Sequence, residues 1–457
     1  MASELLKLSG CRQRQLLEER AVSVVELTEA ALAQVAAENP TINAIVTLSP
    51  RALDDARAAQ AAIDAGQAGP ICGLPVGIKD VTETAGLRTT FGSPSYADHI
   101  PEADAVVVER LRQAGAVLIG KTNTPEFAAG GNTFNEVFGR TRNPHDPARS
   151  AGGSTGGGAA ALASGMISLA EGTDLGGSLR IPASFCGVVG LRPSPGLIPT
   201  YPSSFLFDQL QVTGLMGRFA EDIAAGLAAL SGPTPRSPVH QLSWSDPRPS
   251  DRPLSVAYCA DTTGIGIDQA VERVARNAAL SLREDGVTVD QIELDFSAGR
   301  QAFLAFRGLW MVIKHWRRRH LLDKFGPNVA GNIALGDAVT TAQLAEAEHA
   351  RAAIWQTLTE LWQRYDFLLT PTMAVPPFPV EENFPQTIDG KPMQTYIDWV
   401  APTFVFSLTG LPVASVPAGR DPQGLPVGLQ VIGPRATEAE ILALCSQVQR
   451  LCPLGVR

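Results

Sequence analysis

Ser150–Ser184 reads SAGGSTGGGAAALASGMISLAEGTDLGGSLRIPAS. It sets two serines among glycines, Ser154 and Ser178, 178 − 154 = 24 positions apart, and holds no histidine. Three readings compete for its first half. Gly152–Gly156 spells GxSxG, a nucleophile elbow that requires a strand directly before it and a late histidine. NPHDPARSA precedes it instead, and His240, His315, His320 and His349 fall in linker-like or helical stretches. A phosphate-cradling loop requires a lysine after the glycines, and none follows. A flexible glycine turn suits a lone GGS. It accounts poorly for two such serines with GTD between them and a lysine in an apolar stretch upstream, GLPVGIKD (Gly73–Asp80).

Working outward, GGGAAALASGMIS reads as a helix and ISLAEGTD as a strand running into a loop. GLPVGIKDV has the form of a buried strand, and DAVVVERLRQAGAVLIGKTNT (104–124) gives helix, glycine turn and strand. ASFCGVVGLRPS (183–194) reads as another buried strand ending at Pro193, and 17–66 reads as helical. Residues 231–253 are dense in Pro, Ser and Asp and form a loop or linker. LSVAYCA, IDQAVERVARNAALSLREDG and VTVDQIEL resume the alternation, 303–364 is mainly helical, and DFLLTPT (366–372) is a strand. GLPVASVPAG and GLPVGLQVIG read as neighbouring strands before a last helix, EAEILALCSQVQRL. No internal repeat is visible. The expected fold is α/β, one large domain whose central twisted mixed sheet is covered by helices on both faces.

Composition narrows the partners. A net charge of −9 disfavours nucleic acid, which needs a basic face, and leaves neutral or cationic small molecules open. The six cysteines show neither CxxC spacing nor a pairing rhythm, so no zinc site and no disulfide framework are expected; no metal and no other cofactor enters the reading. The first residues form a charged amphipathic helix without an apolar leader core, and no apolar run reaches the roughly 18 residues of a membrane span. A cytoplasmic protein without a membrane partner, monomer or homodimer, is the expectation.

The blocks GGSTGG (152–157) and GTDLGGSLRIPA (172–183) resemble the amidase signature family. So do GLPVGIKD, KTNTPEF (121–127), FGRTRNPHD (138–146), FCGVVGLRPS (185–194), TGLPVASVP and GLPVGLQVIG, so the resemblance covers nearly the whole chain. It implies one amidase signature domain over 1–457, with a helical segment at 1–66, the catalytic motifs at 67–200 and the loop at 231–253. It also implies a Ser-cisSer-Lys triad. Ser178 is then the nucleophile, Ser154 the relay following a cis bond from Gly153, and Lys79 the base. Thr155 departs from the family pattern, which has a serine there; the hydroxyl survives with an added methyl.

The chemistry explains why lysine suits this role. Without histidine the base must be another group that is neutral near pH 7, and burial lowers a lysine toward that range by disfavouring its ammonium. Val76, Gly77, Ile78 and Val81 supply an apolar setting, and strand alternation turns Asp80 to the other face. Glycines 176 and 177 let successive amides turn inward, so Leu175, Gly176, Gly177 and Ser178 are the expected oxyanion donors. Asp174 and Arg180 are expected to brace that loop as a buried pair.

The resemblance implies that 201–210, 303–316 and 396–406 line the pocket, so their aromatics lead to the expectation of a hydrophobic or aryl group in an amide, ester or carbamate substrate. Two other functions stay open at this point. One is the amidase-like component of a tRNA-dependent amidotransferase complex, and the other is a non-catalytic binding protein of this fold.

Overall fold

Eleven apolar segments become strands of a single sheet in the computed structural model, which describes residues 2–239, 241–247 and 252–455. They are β1 (Ile45–Leu48), β2 (Pro75–Lys79), β3 (Val117–Thr122), β4 (Leu169–Asp174), β5 (Val189–Arg192) and β6 (Val212–Gly217). The remainder are β7 (Ser255–Tyr258), β8 (Thr288–Gln291), β9 (Phe367–Pro371), β10 (Val413–Arg420) and β11 (Pro426–Ile432). Their spatial order is β1-β3-β2-β4-β6-β5-β10-β11-β9-β7-β8. Pairing is parallel for β3-β2-β4 and β9-β7-β8 and antiparallel elsewhere, so the sheet is mixed.

Neighbouring residues of one strand enter different apolar layers, which is why these segments read as unbroken apolar runs. Leu118 packs with Leu74, Leu111 and Ile223, whereas Val117 and Ile119 pack with Val35, Ala56 and Met166. At the far side Val256 joins the first layer, and Ala257 joins a third with Phe303 and Phe404. The α/β expectation, one sheet covered on both faces, holds.

Two local readings need correction. The stretch 17–66 is not helical throughout. Its helix ends at Ile42 because Asn43 turns left-handed, and Asn39 accepts from the amides of Ala44 and Ile45. IVTL, rich in β-branched residues, then pairs with the edge of β3. ASFC is the end of a helix, Arg180–Cys186, stopped by left-handed Gly187, and only Val189–Arg192 is strand. Pro182 sits in the first turn of that helix, where its missing N–H costs nothing. β6 and the helix Ala220–Leu230 had no reading in the sequence; glycines 214 and 217 within VTGLMG mask the strand. The described residues of 231–253 hold no helix or strand, while residues 240 and 248–251 lie outside the description. Among the described residues no helix is long and apolar enough to cross a membrane.

Candidate active site

Lys79 ends β2. Val76 and Ile78 enter one apolar layer, so Lys79 falls on the opposite face, where the helix Gly156–Ala163 begins. A register shift between β2 and β3 then pairs Ile78 with Lys121 and Lys79 with Thr122. Lys121 therefore shares its face with Ile78, not with Lys79. Asp80 is on that far side as well. Its carboxylate accepts from the Thr90 amide at 3.2 Å, while burial raises its pKa against the pull of Lys121 and Thr90. The expectation that Asp80 faces away from Lys79 holds.

The Lys79 amine is fully buried. Its Nζ lies 2.7 Å from Ser154 Oγ, 3.0 Å from Thr155 Oγ1 and 3.1 Å from Thr173 Oγ1. Burial lowers its pKa from 10.5 to about 7, and the charges of Glu171 and Asp174 act in the opposite sense. A neutral amine has two N–H donors and one lone pair, so three hydroxyl neighbours satisfy it completely, with one of them donating to it. Ser154 is the closest.

The peptide bond between Gly153 and Ser154 is cis. Gly153 is pressed against backbone, since a Cβ there would come within 2.9 Å of the Gly130 carbonyl. Ser154 and Ser178 line the same cavity, together with Gly153, Leu175 and Gly176. The Thr155 amide donates to the Ser178 carbonyl at 3.1 Å, which ties the two glycine-rich loops together. Thr155 itself does not line the cavity. Its methyl occupies room left by Gly172, where a Cβ would meet it at 2.5 Å, so the departure from the family pattern leaves the cavity its width.

Asp174 organises the second loop. Its carboxylate accepts from the Gly177 amide at 2.8 Å, the Leu179 amide at 3.1 Å, and Arg180 Nε and Nη2 at 3.1 and 3.0 Å. Burial alone would raise this carboxyl, but Arg180, Arg192 and the Leu179 amide outweigh it and hold it well below the ordinary range. The rest of Arg180 is committed to the Thr403 carbonyl, Gln430 Oε1 and Ser407 Oγ. One expected oxyanion donor is corrected. The Gly177 N–H is occupied by Asp174, and three expected donors remain, Leu175, Gly176 and Ser178, whose amides have no protein acceptor among the described residues.

Sequence reasoning missed several members of this assembly. Thr173 stands inside the quoted GTD motif, so its place beside Asp174 was a usable signal. Glu171 accepts from the Lys79 amide and the Thr82 hydroxyl, and burial raises its pKa. Arg192, Thr403, Ser407 and Gln430 lie far along the chain and carry no local signal. Of the aromatics, Phe303, Trp310 and Tyr396 reach the cavity wall, whereas residues 201–204 line an adjoining one. Phe404 stacks behind Phe303 at 4.1 Å, and Phe127 lines the wall without having been singled out. The described lining holds no His, Cys, Asp or Glu that could ligate a metal.

Residues 26–442 match the family described as Amidase. The chain belongs to the amidase family. It is accordingly an enzyme that hydrolyses carbon–nitrogen bonds. This amidase is 35% identical to a glutamyl-tRNA(Gln) amidotransferase component of Chloroflexus aurantiacus, over 98% of this chain and 97% of that protein. It is 33% identical to an acylamidase of Rhodococcus erythropolis, over 94% and 92%. A bacterial aryl acylamidase of the amidase signature enzymes superposes with a TM-score of 0.89 at 25% identity, covering 98% of this chain and 96% of that one.

Proposed function

We propose that this amidase cleaves small hydrophobic or aryl amides through an acyl-enzyme on Ser178, and accepts esters and carbamates at the same centre. The observation that carries the reading is the fully buried Lys79 amine, its pKa lowered to about 7, lying 2.7 Å from the Oγ of Ser154, which lines one cavity with Ser178. Ser178 Oγ attacks the carbonyl carbon while its proton passes to Ser154 and the Ser154 proton to Lys79. The oxygen of the tetrahedral intermediate is held by the amides of Leu175, Gly176 and Ser178. The ammonium of Lys79 then returns its proton through Ser154 to the leaving nitrogen, which departs as the amine. Water repeats the sequence on the acyl-enzyme and releases the acid, with Ser178 reprotonated.

The space beside the serines is walled by Phe127, Phe303, Trp310 and Tyr396, a setting that suits a flat amide or aryl group. Phe127 and Trp310 divide it from an adjoining cavity of about 530 Å³. Amide, ester and carbamate pass through similar tetrahedral states, so one set of donors serves all three.

The test is covalent labelling. A fluorophosphonate should add one adduct to the wild-type chain at Ser178 and none to Ser178→Ala, with unchanged circular dichroism. Turnover of 4-nitroacetanilide should fall by about 10³-fold or more in the variant. An active Ser178→Ala enzyme refutes the assignment.

The 35% identity to an amidotransferase component supports a second reading, in which this centre works inside a tRNA-dependent complex. Turnover of simple anilides by the isolated chain favours hydrolase. Glutamine-dependent activity that appears only with partner proteins favours the alternative.

A further inference from the structure

The wall beside Ser178 carries a single charged side chain among its described residues, the guanidinium of Arg307. Arg307 stands on the helix Gly299–His315, between Phe303 one turn before it and Trp310 one turn after, and all three line the cavity. It is 8% exposed, yet it has no carboxylate partner among the described residues. Its Nη1 donates to Asn332 Oδ1 and its Nη2 to the Tyr396 hydroxyl, both neutral acceptors, while the Tyr396 ring lies 5.5 Å beneath it. The carboxylates close to this network are engaged elsewhere. Asp398, two residues beyond Tyr396, pairs with Arg300. Asp337, next to the Gly336 that packs on Gly308, pairs with Arg319.

A buried cation is costly unless an anion meets it. The other buried arginines beside the serines, Arg180 and Arg192, both have Asp174. Arg307 has a rigid seat and, among the described residues, no counter-charge. Its Nε–H has no acceptor among the described residues. The Tyr396 oxygen already accepts from Arg307 and from Asn332 Nδ2 at 2.7 Å, so only its proton remains to be offered. Guanidinium and phenol thus present donors to one space, the pairing that a carboxylate satisfies with its two oxygens.

We propose that Arg307, assisted by Tyr396, selects amides that carry a carboxylate a few bonds from the scissile bond. The proposal rests on the hydrolase reading above and names its substrate class. It also qualifies what the net charge of −9 suggests. Long-range repulsion of an anion is screened over about 8 Å at physiological salt, whereas the charge inside the cavity is local and positive.

Two pairs of neutral and anionic isosteres test this. One pair places the group on the acyl part, the 4-nitroanilides of succinic acid and of 4-oxopentanoic acid. The other places it on the amine part, 4-acetamidobenzoate and 4-acetamidoacetophenone. For wild type, kcat/KM should favour the carboxylate member of at least one pair by about tenfold or more, and Arg307→Gln should bring that ratio to near one. Arg307→Lys should keep part of the preference. Calorimetry on Ser178→Ala, with and without Arg307→Gln, reads the same ratio as binding and needs no turnover. A binding preference without turnover leaves the carboxylate proposal standing and overturns the hydrolase reading. Turnover of both pairs with ratios near one in wild type overturns the carboxylate proposal alone, and so does an equal loss on both members in Arg307→Gln.

Discussion

Replacing Lys79 by methionine should abolish activity and make the protein more stable at neutral pH. Burial that lowers the lysine from 10.5 to about 7 corresponds to a cost of about 5 kcal/mol for holding the amine uncharged. Methionine has similar length and no such cost. It leaves the hydroxyls of Ser154, Thr155 and Thr173 without their nitrogen partner, a loss of about 1 kcal/mol each. The net gain near pH 7 is therefore about 2 kcal/mol.

The gain must depend on pH in a fixed sense. Between pH 7 and 10.5 the unfolded chain holds a proton on Lys79 that the folded chain lacks, so wild-type stability rises with pH through this window. The slope is about 1.4 kcal/mol per pH unit, or about 3 kcal/mol from pH 7.5 to 9.5, and the advantage of the variant shrinks by that amount and reverses. Urea unfolding of both proteins at matched pH values reads this directly, because other titrations cancel in the difference. A difference that stays flat from pH 7.5 to 9.5 would show that Lys79 keeps its charge in the folded state, and the relay would fall with it. The wild-type enzyme should show the same group as an acidic limb near pH 7 in kcat/KM.

Asp174→Asn leaves Arg180 and Arg192 buried without their anion and should cost about 3–5 kcal/mol in urea unfolding. Because that carboxyl is held below its ordinary 3.8, its contribution is present at neutral pH and fades only as the pH falls below that value. Gly177→Ala puts a Cβ 2.2 Å from Thr403 Oγ1 at a φ of +118°, so kcat should fall and stability drop by about 1–3 kcal/mol; a fully active, equally stable variant would contradict the tight loop described here. Thr155→Ser removes the methyl seated against Gly172 and Gly158 and should lower stability by about 1 kcal/mol with little change in kcat/KM. A large gain in activity would mean that the methyl narrows the cavity after all.

Much of the assembly was legible in the chain because its parts are local. Glycines bracket Ser154 and Ser178, apolar residues bracket Lys79, and unbroken apolar runs mark most strands, since those strands are covered on both faces. β1 was hidden between two helices, and β6 was masked by its glycines. The motifs, through their resemblance to the family, thus singled out the amine and the hydroxyls, and the apolar runs their α/β frame.

Only the tertiary structure decided the state of those groups. The Lys79 pKa falls to about 7 because sheet, helix and loop together exclude water from it, and no window of sequence contains that exclusion. The Gly177 amide was lost to Asp174, and Arg180 to Thr403, Ser407 and Gln430, through contacts spanning more than 200 positions in the case of the arginine. Arg307 reads in sequence as one arginine among many, and becomes distinctive only where folding leaves it buried beside Ser178 without an anion among the described residues. Desolvation and hydrogen-bond pairing are set by what the folded chain brings near, so protonation state and specificity belong to the fold, while the reactive atoms belong to the sequence.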